Sequence, residues 1–200
     1  MKRTSILIAN DDGIFADGIY ALWEAMAEIG ETTVVAPNTE KSAVGHAITL
    51  SDPIRIEKVK RSGGFSGYAV NGTPADSVKI AIKAIMDKKP DIIISGINAG
   101  ANVGQNLLYS GTISAATEGT FLGIPSIAIS LDSLKGGDWS GAKMVAQKVV
   151  KSVLEHELPN GTLLNVNVPN IPENTFRAVS YTHLRAHETE ADLVCRLLLE

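Results

Sequence analysis

The stretch that most constrains the fold runs from Gly96 to Asn106. It holds three glycines and three asparagines in eleven residues, which is too dense for the interior of a strand or helix. The apolar run 91–95 precedes it, and a helical pattern beginning near Gly111 follows it. A buried strand, a polar loop and a helix in this order are where open α/β sheets bind their ligands. The same composition is also typical of a long surface connection, so the loop alone leaves both interpretations open.

Strands and helices alternate along the rest of the chain. This order predicts an α/β, Rossmann-like, three-layer fold with a mostly parallel sheet and right-handed crossovers. A small β excursion is expected at about residues 47–70, where short strand patterns surround the turn at Gly63. The predicted strands are 4–9, 32–36, 92–94, 125–129 and 163–168, and the predicted helices are 17–29, 74–86, 111–122 and 140–156.

Charge and composition exclude several classes of protein. The net charge is −4 and no basic stripe is present, so a nucleic-acid polymer is not expected as a partner. The single cysteine, Cys195, fits a reducing compartment. The first apolar run is too short for a signal peptide, and no run approaches the roughly 18 apolar residues of a membrane span. We therefore expect a cytoplasmic protein with no membrane association.

A pair of carboxylates, Asp11 and Asp12, directly follows the first strand. Two adjacent aspartates repel each other, so either a cation offsets their charge or one of them is protonated. Mg²⁺ prefers one or two carboxylates together with waters and phosphate oxygens. Gly13 allows the bend that would direct these carboxylates at an ion. The alternative is an ordinary Asp-Gly turn with solvated side chains.

Neutral oxygen ligands follow two other predicted strands. Ser42 and Asn98 carry hydroxyl and amide oxygens that suit Mg²⁺ or Mn²⁺ without adding charge. Taken alone, Ser42 is also interpreted as an ordinary loop serine. The segment from Ser110 through Gly111 to Thr112 opens a helix, and the free peptide N–H groups of a helix start bind anions such as phosphate. Ordinary N-capping explains the same residues and is compatible with that interpretation.

Several spaced motifs resemble the SurE family, and the resemblance covers about residues 4–179. They occur in the family order, and the passage through the glycine-rich loop is the most specific of them. The matching segments are Ile6 to Gly13 followed by Ala16 to Ile19, Val35 to Asn38 with Ser42 to Gly45, Asn71 to Asp76, Ser95 to Asn98 through Tyr109 to Thr112 with Ala115, Ala116, Glu118 and Gly119, and Asn165 to Pro169.

The resemblance implies a divalent-metal-dependent phosphatase that acts on nucleoside monophosphates, mainly 5′, with 3′-nucleotides and short polyphosphate as further substrates. It implies that Asp11, Asp12, Ser42 and Asn98 bind one cation per subunit, Mg²⁺ or Mn²⁺. It also implies a homodimer or homotetramer.

The sequence thus predicts metal-assisted hydrolysis of a phosphomonoester, an activity of the 5′-nucleotidase class. The predicted catalytic residues are Asp11, Asp12 and Asn98, and the predicted phosphate-binding residues are Asn98, Ser110, Gly111 and Thr112. Attack on phosphorus by water and attack by an aspartate of the pair both remain open. A non-catalytic nucleotide-binding module and an inactive truncated fragment are the alternatives.

The family pattern stops after about Ser180. Residues 1–180 are predicted to form the phosphatase domain, and residues 181–200 a tail outside the pattern, either helical or disordered. We therefore expect a C-terminally truncated family member.

Overall fold

The structure is a computed structural model that describes residues 3–135, 137–171, 179–185 and 194–197. The strands and helices below are those of these ranges.

A single nine-stranded sheet with the order β3-β4-β2-β1-β5-β6-β7-β8-β9 organises the described chain. The six strands from β4 to β7 in this order run parallel. The strands β3, β8 and β9 add to the two edges in antiparallel fashion. The strands are β1 (Ser5–Ala9), β2 (Glu31–Pro37), β3 (Ile56–Lys60), β4 (Ser66–Val70), β5 (Ile92–Ala99), β6 (Ser126–Asp132), β7 (Thr162–Pro169), β8 (Val179–Arg185) and β9 (Val194–Leu197).

Helices cover both faces of the sheet and complete three layers. They are α1 (Asp17–Ala27), α2 (Pro74–Ile80), α3 (Gly111–Phe121) and α4 (Ser140–His156). Alternate residues of β1 divide between the two faces, as strand geometry requires. Ile6 and Ile8 join a core with α1 and α4, whereas Leu7 packs on the other face with α2 and α3. The predicted Rossmann-like α/β fold is confirmed.

The central strands are buried on both faces, which explains their continuous apolar runs. Ile92, Ile93 and Ile94 of β5 are all fully buried. Gly18 lets α1 lie directly on the sheet, because a Cβ at this position would lie 2.0 Å from the carbonyl oxygen of Ile97.

Three sequence predictions differ from the observed elements. The predicted β excursion at residues 47–70 contains only β3 and β4, and β4 is an integral strand because it pairs in parallel with β2. Its buried Ala69 and Val70 explain this position. The glycine-rich loop begins later than predicted, since β5 continues to Ala99 across a register shift. A π-helical turn, Ala81–Ile85, continues α2.

The predicted tail contains two strands rather than a helix within the described residues. The predicted boundary at Ser180 falls inside β8, which pairs with β7, and β9 then pairs with β8. The backbone of both strands is therefore committed to the sheet. Positions 186–193 and 198–200 of the predicted tail lie outside the described residues. The division into a domain and a tail stays a prediction.

A membrane-spanning helix would have to be both long and apolar, and the described part of the chain contains none.

Replacing Gly18 with alanine tests the close packing of α1 on β5. We expect Gly18→Ala to lower the free energy of unfolding by roughly 3 kcal/mol, because the new methyl group would overlap a backbone oxygen that cannot rotate away. Gly64→Ala is the matched control. Unlike Gly18, Gly64 has a positive φ of 84°, and open space surrounds it, so only about 1 kcal/mol of backbone strain is expected. Urea unfolding measures the free energy of unfolding of both variants. Equal losses of stability in Gly18→Ala and Gly64→Ala would contradict the close packing of α1 on β5.

Candidate metal and phosphate site

A cavity of about 630 Å³ opens at the carboxyl ends of β1 and β5. This is the edge of a parallel sheet at which loops present ligand-binding groups. The predicted ligands Asp11, Asp12, Ser42 and Asn98 all line this cavity, so the fold brings together residues from three separate segments of the chain. The other lining residues are Glu40, Ala43, Ala99, Gly100, Ala101, Asn102, Asn106, Tyr109, Ser110 and Leu134.

Asp11 is held against the start of α3. Its side chain is buried, and its Oδ1 accepts a hydrogen bond of 2.5 Å from the hydroxyl of Thr112. Gly111 permits this approach, because a Cβ there would lie 2.6 Å from the Cβ of Asp11. Burial raises the pKa of Asp11, although the hydrogen bond from Thr112 opposes that shift. One carboxylate is thus fixed in place at an electrostatic cost.

Asp12 adds a second carboxylate whose charged form is also disfavoured by its surroundings. Its Oδ2 accepts a hydrogen bond of 3.3 Å from the peptide N–H of Ala99. Burial, and then the charge of Asp11, raise the pKa of Asp12 to about 6. Within the described ranges, no lysine, arginine or histidine forms an ion pair with either aspartate. The negative charge of the pair is therefore not offset by a protein cation.

The two neutral ligands differ in how firmly they are held. Asn98 donates from Nδ2 to the carbonyl oxygen of Gly100 at 2.7 Å, which orients the amide and leaves Oδ1 to accept or coordinate. Ser42 is exposed, and its hydroxyl donates to the carboxylate of Glu40. Among the described residues there is no group of three or more His, Cys, Asp and Glu side chains suited to a metal. The predicted set is of another kind, with two carboxylates and two neutral oxygens.

The predicted phosphate-binding residues occupy different positions. Ser110 lines the cavity and caps α3, since its hydroxyl accepts from the peptide N–H of Ile113 at 3.1 Å. Gly111 and Thr112 lie behind the cavity wall. Thr112 is fully buried and its hydroxyl is committed to Asp11. The hydroxyl thus orients a carboxylate, and its predicted contact with phosphate stays a prediction.

Asn102, which sequence reasoning did not single out, anchors the glycine-rich loop. Its peptide N–H donates to Oδ1 of Asn167 at 2.8 Å, and its Nδ2 donates to Ser130 at 2.8 Å. Its carbonyl oxygen accepts from Asn165 at 2.9 Å and from Asn167 at 3.0 Å. Side chains of β6 and β7 thus hold the loop. The spaced asparagines of β7 were visible in the sequence, but their partner was not.

Glu118, also not predicted as a site residue, anchors the loop that carries Ser42. Its buried carboxylate contacts His46 Nε2 at 3.0 Å and Lys79 Nζ at 3.2 Å. The hydrogen bond with His46 is the main cause that lowers the pKa of Glu118. His46 also stacks on Phe121. The loop that carries Ser42 is therefore held on α3 by the contacts of His46 with Glu118 and Phe121. Lys79 of α2 contacts the same Glu118 carboxylate and so links α2 to this cluster.

Comparisons with known proteins match these features to one family. The family model described as "Survival protein SurE" matches residues 6–191. This match extends beyond Ser180, where the sequence motifs stop. The structure of the SurE protein from Aquifex aeolicus superposes with a TM-score of 0.78 at 42% sequence identity, covering 85% of this chain and 68% of that one.

Curated relatives named 5′-nucleotidase SurE align over most of the chain. The protein from Syntrophobacter fumaroxidans is 51% identical over 88% of this chain and 71% of its own length. The one from Chlorobium chlorochromatii is 50% identical over 87% and 64%. The one from Chlorobium phaeobacteroides is 45% identical over 98% and 76%. The chain thus spans about two thirds to three quarters of the length of these relatives.

The raised pKa of Asp12 predicts how stability changes with pH when no cation is bound. At low pH the carboxyl is protonated in both the folded and the unfolded protein. As pH rises from about 4 to above 6, the unfolded chain loses this proton first, so folding stability falls. In chelator, Asp12→Asn should therefore equal the wild type in stability near pH 4. Above pH 7 the free energy of unfolding of Asp12→Asn should exceed that of the wild type by about 2 kcal/mol, a value that allows for the partial exposure of Asp12.

Urea unfolding across this pH range measures the difference between Asp12→Asn and wild type. Asp87→Asn is the control, because Asp87 is exposed. It precedes β5 and so lies at the amino ends of the parallel strands, away from the cavity. A stability difference for Asp12→Asn that does not change with pH would contradict the account of the buried pair.

Removing the Glu118 carboxylate should loosen the Ser42 loop. We expect trypsin to cleave native Glu118→Ala after Lys41 about tenfold faster than wild type, because two charge-assisted contacts are lost. Glu118→Gln keeps a hydrogen-bond acceptor and should show a smaller increase. Glu24→Ala is the control, since it removes an ion pair with Lys143 of 2.9 Å far from the loop. Equal cleavage rates in Glu118→Ala and Glu24→Ala would rule out the anchoring role.

Proposed function

The chain belongs to the SurE family, and we propose that it is a divalent-metal-dependent 5′-nucleotidase that hydrolyses nucleoside 5′-monophosphates to nucleoside and phosphate. Its relatives carry the name 5′-nucleotidase. 3′-Nucleotides and short polyphosphate are further proposed substrates, since they also present a terminal phosphate group. A homodimer or homotetramer and a cytoplasmic location stay predictions.

The carboxylate pair at the end of β1, with Asp11 buried and Asp12 partly buried, is the observation that carries this proposal. Asp11 and Asp12 face a cavity large enough for a small-molecule substrate. Burial raises the pKa of both carboxyls, and the charge of Asp11 raises that of Asp12 further. A protein retains such a pair at a cost in stability, and perturbed carboxyls of this kind cluster at functional sites.

The residues present fit a divalent cation, Mg²⁺ or Mn²⁺. Asp11, Asp12, Ser42 and Asn98 would hold one such ion, with two charges to match its own and two neutral oxygens. When bound, the cation would polarise a phosphoryl oxygen and stabilise the charge that develops as the ester bond breaks.

The chain's own groups would position the phosphate and the aspartates. The first turn of α3 directs free peptide N–H groups and the positive end of its dipole toward the phosphate oxygens. Thr112 keeps Asp11 in one orientation through its hydroxyl. Asn102 keeps the loop after Asn98 in place through its bonds to β6 and β7. The nucleophile, water or a carboxylate of the pair, forms a bond to phosphorus as the bond to the ester oxygen breaks, and the ester oxygen takes a proton that comes from water. Attack by water gives phosphate directly, whereas attack by a carboxylate gives an aspartyl phosphate that a water then hydrolyses to phosphate.

Phosphate release from 5′-AMP tests the proposal. With Mn²⁺ present, Asp11→Asn should lower kcat/KM by about a thousandfold or more, because it removes charge that acts in the transition state. Asp87→Asn should keep wild-type activity. A chelator should abolish release by the wild type, and added Mn²⁺ should restore it.

Three results would go against this function. Release that is insensitive to chelator would exclude the cation. Wild-type turnover by Asp11→Asn would exclude the aspartate pair. Tight nucleotide binding without release would identify a non-catalytic nucleotide-binding module.

A further inference from the structure

The cavity is larger than a cation and a phosphate group require. Its volume of about 630 Å³ lies well within the range of sites that enclose whole small molecules. The lining around the carboxylates is polar, but it also includes Tyr109 and Leu134. Neither of these large side chains is suited to bind a cation or a phosphate group, so their presence in this cavity needs a separate explanation.

Both side chains are exposed to an unusual degree for their size. Tyr109 is 61% exposed and Leu134 is 89% exposed. Single exposed apolar residues are normal on protein surfaces. Two of them in the wall of one concave site are more informative, because exposed apolar surface in a cavity is the feature that binds the flat, apolar part of a ligand.

The two side chains come from separate segments. Tyr109 directly precedes Ser110, the cap of α3, and its backbone is fixed at both groups. Its N–H donates to the carbonyl oxygen of Asn106 at 3.1 Å, and its own carbonyl oxygen accepts from Gly45 at 3.0 Å. The ring therefore has a fixed origin beside the proposed phosphate site.

Leu134 lies in the segment that follows β6, and its side chain approaches the glycine-rich loop. Its Cδ2 atom would lie 3.0 Å from a Cβ at Gly100. Gly100 has no side chain, which leaves room for Leu134 beside the loop that follows Asn98.

We propose that Tyr109 and Leu134 form the surface that binds the nucleobase, with the base stacked on the Tyr109 ring. This inference rests on the proposed function, because it assigns the rest of the same substrate. Stacking on an aromatic ring stabilises a base by its face and not by its edges. The two residues thus distinguish nucleotides from phosphomonoesters that lack a base.

The test compares 5′-AMP with ribose 5-phosphate, which carries the same phosphoester but no base. Tyr109→Ala should lower the ratio of the two kcat/KM values, 5′-AMP over ribose 5-phosphate, by about fivefold or more. Tyr109→Trp keeps a stacking surface and should restore the ratio. Leu134→Ala should lower it by a smaller factor. Damage to the phosphate site would reduce both rates and leave the ratio unchanged, and that result would overturn the inference.

Leu108→Ala is the matched control. Leu108 is adjacent in sequence and 58% exposed, but it lies outside the cavity lining, so its variant should keep the wild-type ratio. An equal loss of the ratio in Leu108→Ala and Tyr109→Ala would also overturn the inference.

A binding measurement separates this inference from the phosphatase activity. Adenosine carries a base but no phosphate, and equilibrium dialysis in chelator measures its affinity without any turnover. We expect wild type to bind adenosine about fivefold or more tightly than Tyr109→Ala. This arm decides the inference even if the wild type releases no phosphate, which would refute only the proposed function. Equal adenosine binding by both proteins, or none by the wild type, would overturn the inference.

Discussion

Two adjacent carboxylates at the end of β1, one buried and one partly buried, determine how the rest of the site is arranged. Burial raises the pKa of both Asp11 and Asp12, and the charge of Asp11 raises that of Asp12 further. The fold tolerates this electrostatic cost. The same parallel strands that are buried on both faces place Asp11 under the start of α3. The free energy that is spent in holding two charges together becomes available when a cation binds.

The surrounding elements act as supports for that pair. Gly111 lets α3 approach Asp11, and Thr112 fixes the carboxylate. Asn102 ties the loop after β5 to the neighbouring strands. Glu118 ties down the exposed loop of Ser42 through His46. Thr112, Asn102 and Glu118 are buried polar groups whose partners come from distant parts of the chain, and together they let the loops present a fixed set of oxygens.

Residues with local signals could be predicted from the sequence. Asp11 and Asp12 follow the apolar strand β1, and Asn98 lies near the carboxyl end of β5, so strand geometry places them at the same end of the parallel strands. The roles of Thr112, Asn102 and Glu118 depend on contacts across 101, 65 and 72 residues respectively, and no local pattern encodes such pairings. The strands of the predicted tail were missed for a similar reason, because β8 is defined by its pairing with β7.

Proton release on Mn²⁺ binding shows whether the carboxylate pair holds the cation. Calorimetric titration at pH 6 in two buffers of different ionisation enthalpy counts both the ions bound and the protons released. Because the pKa of Asp12 is raised to about 6 and that of Asp11 is also raised, a bound cation must displace protons that these carboxyls hold. The account predicts one Mn²⁺ per chain with release of at least about half a proton. Binding without proton release, or no binding, would contradict it.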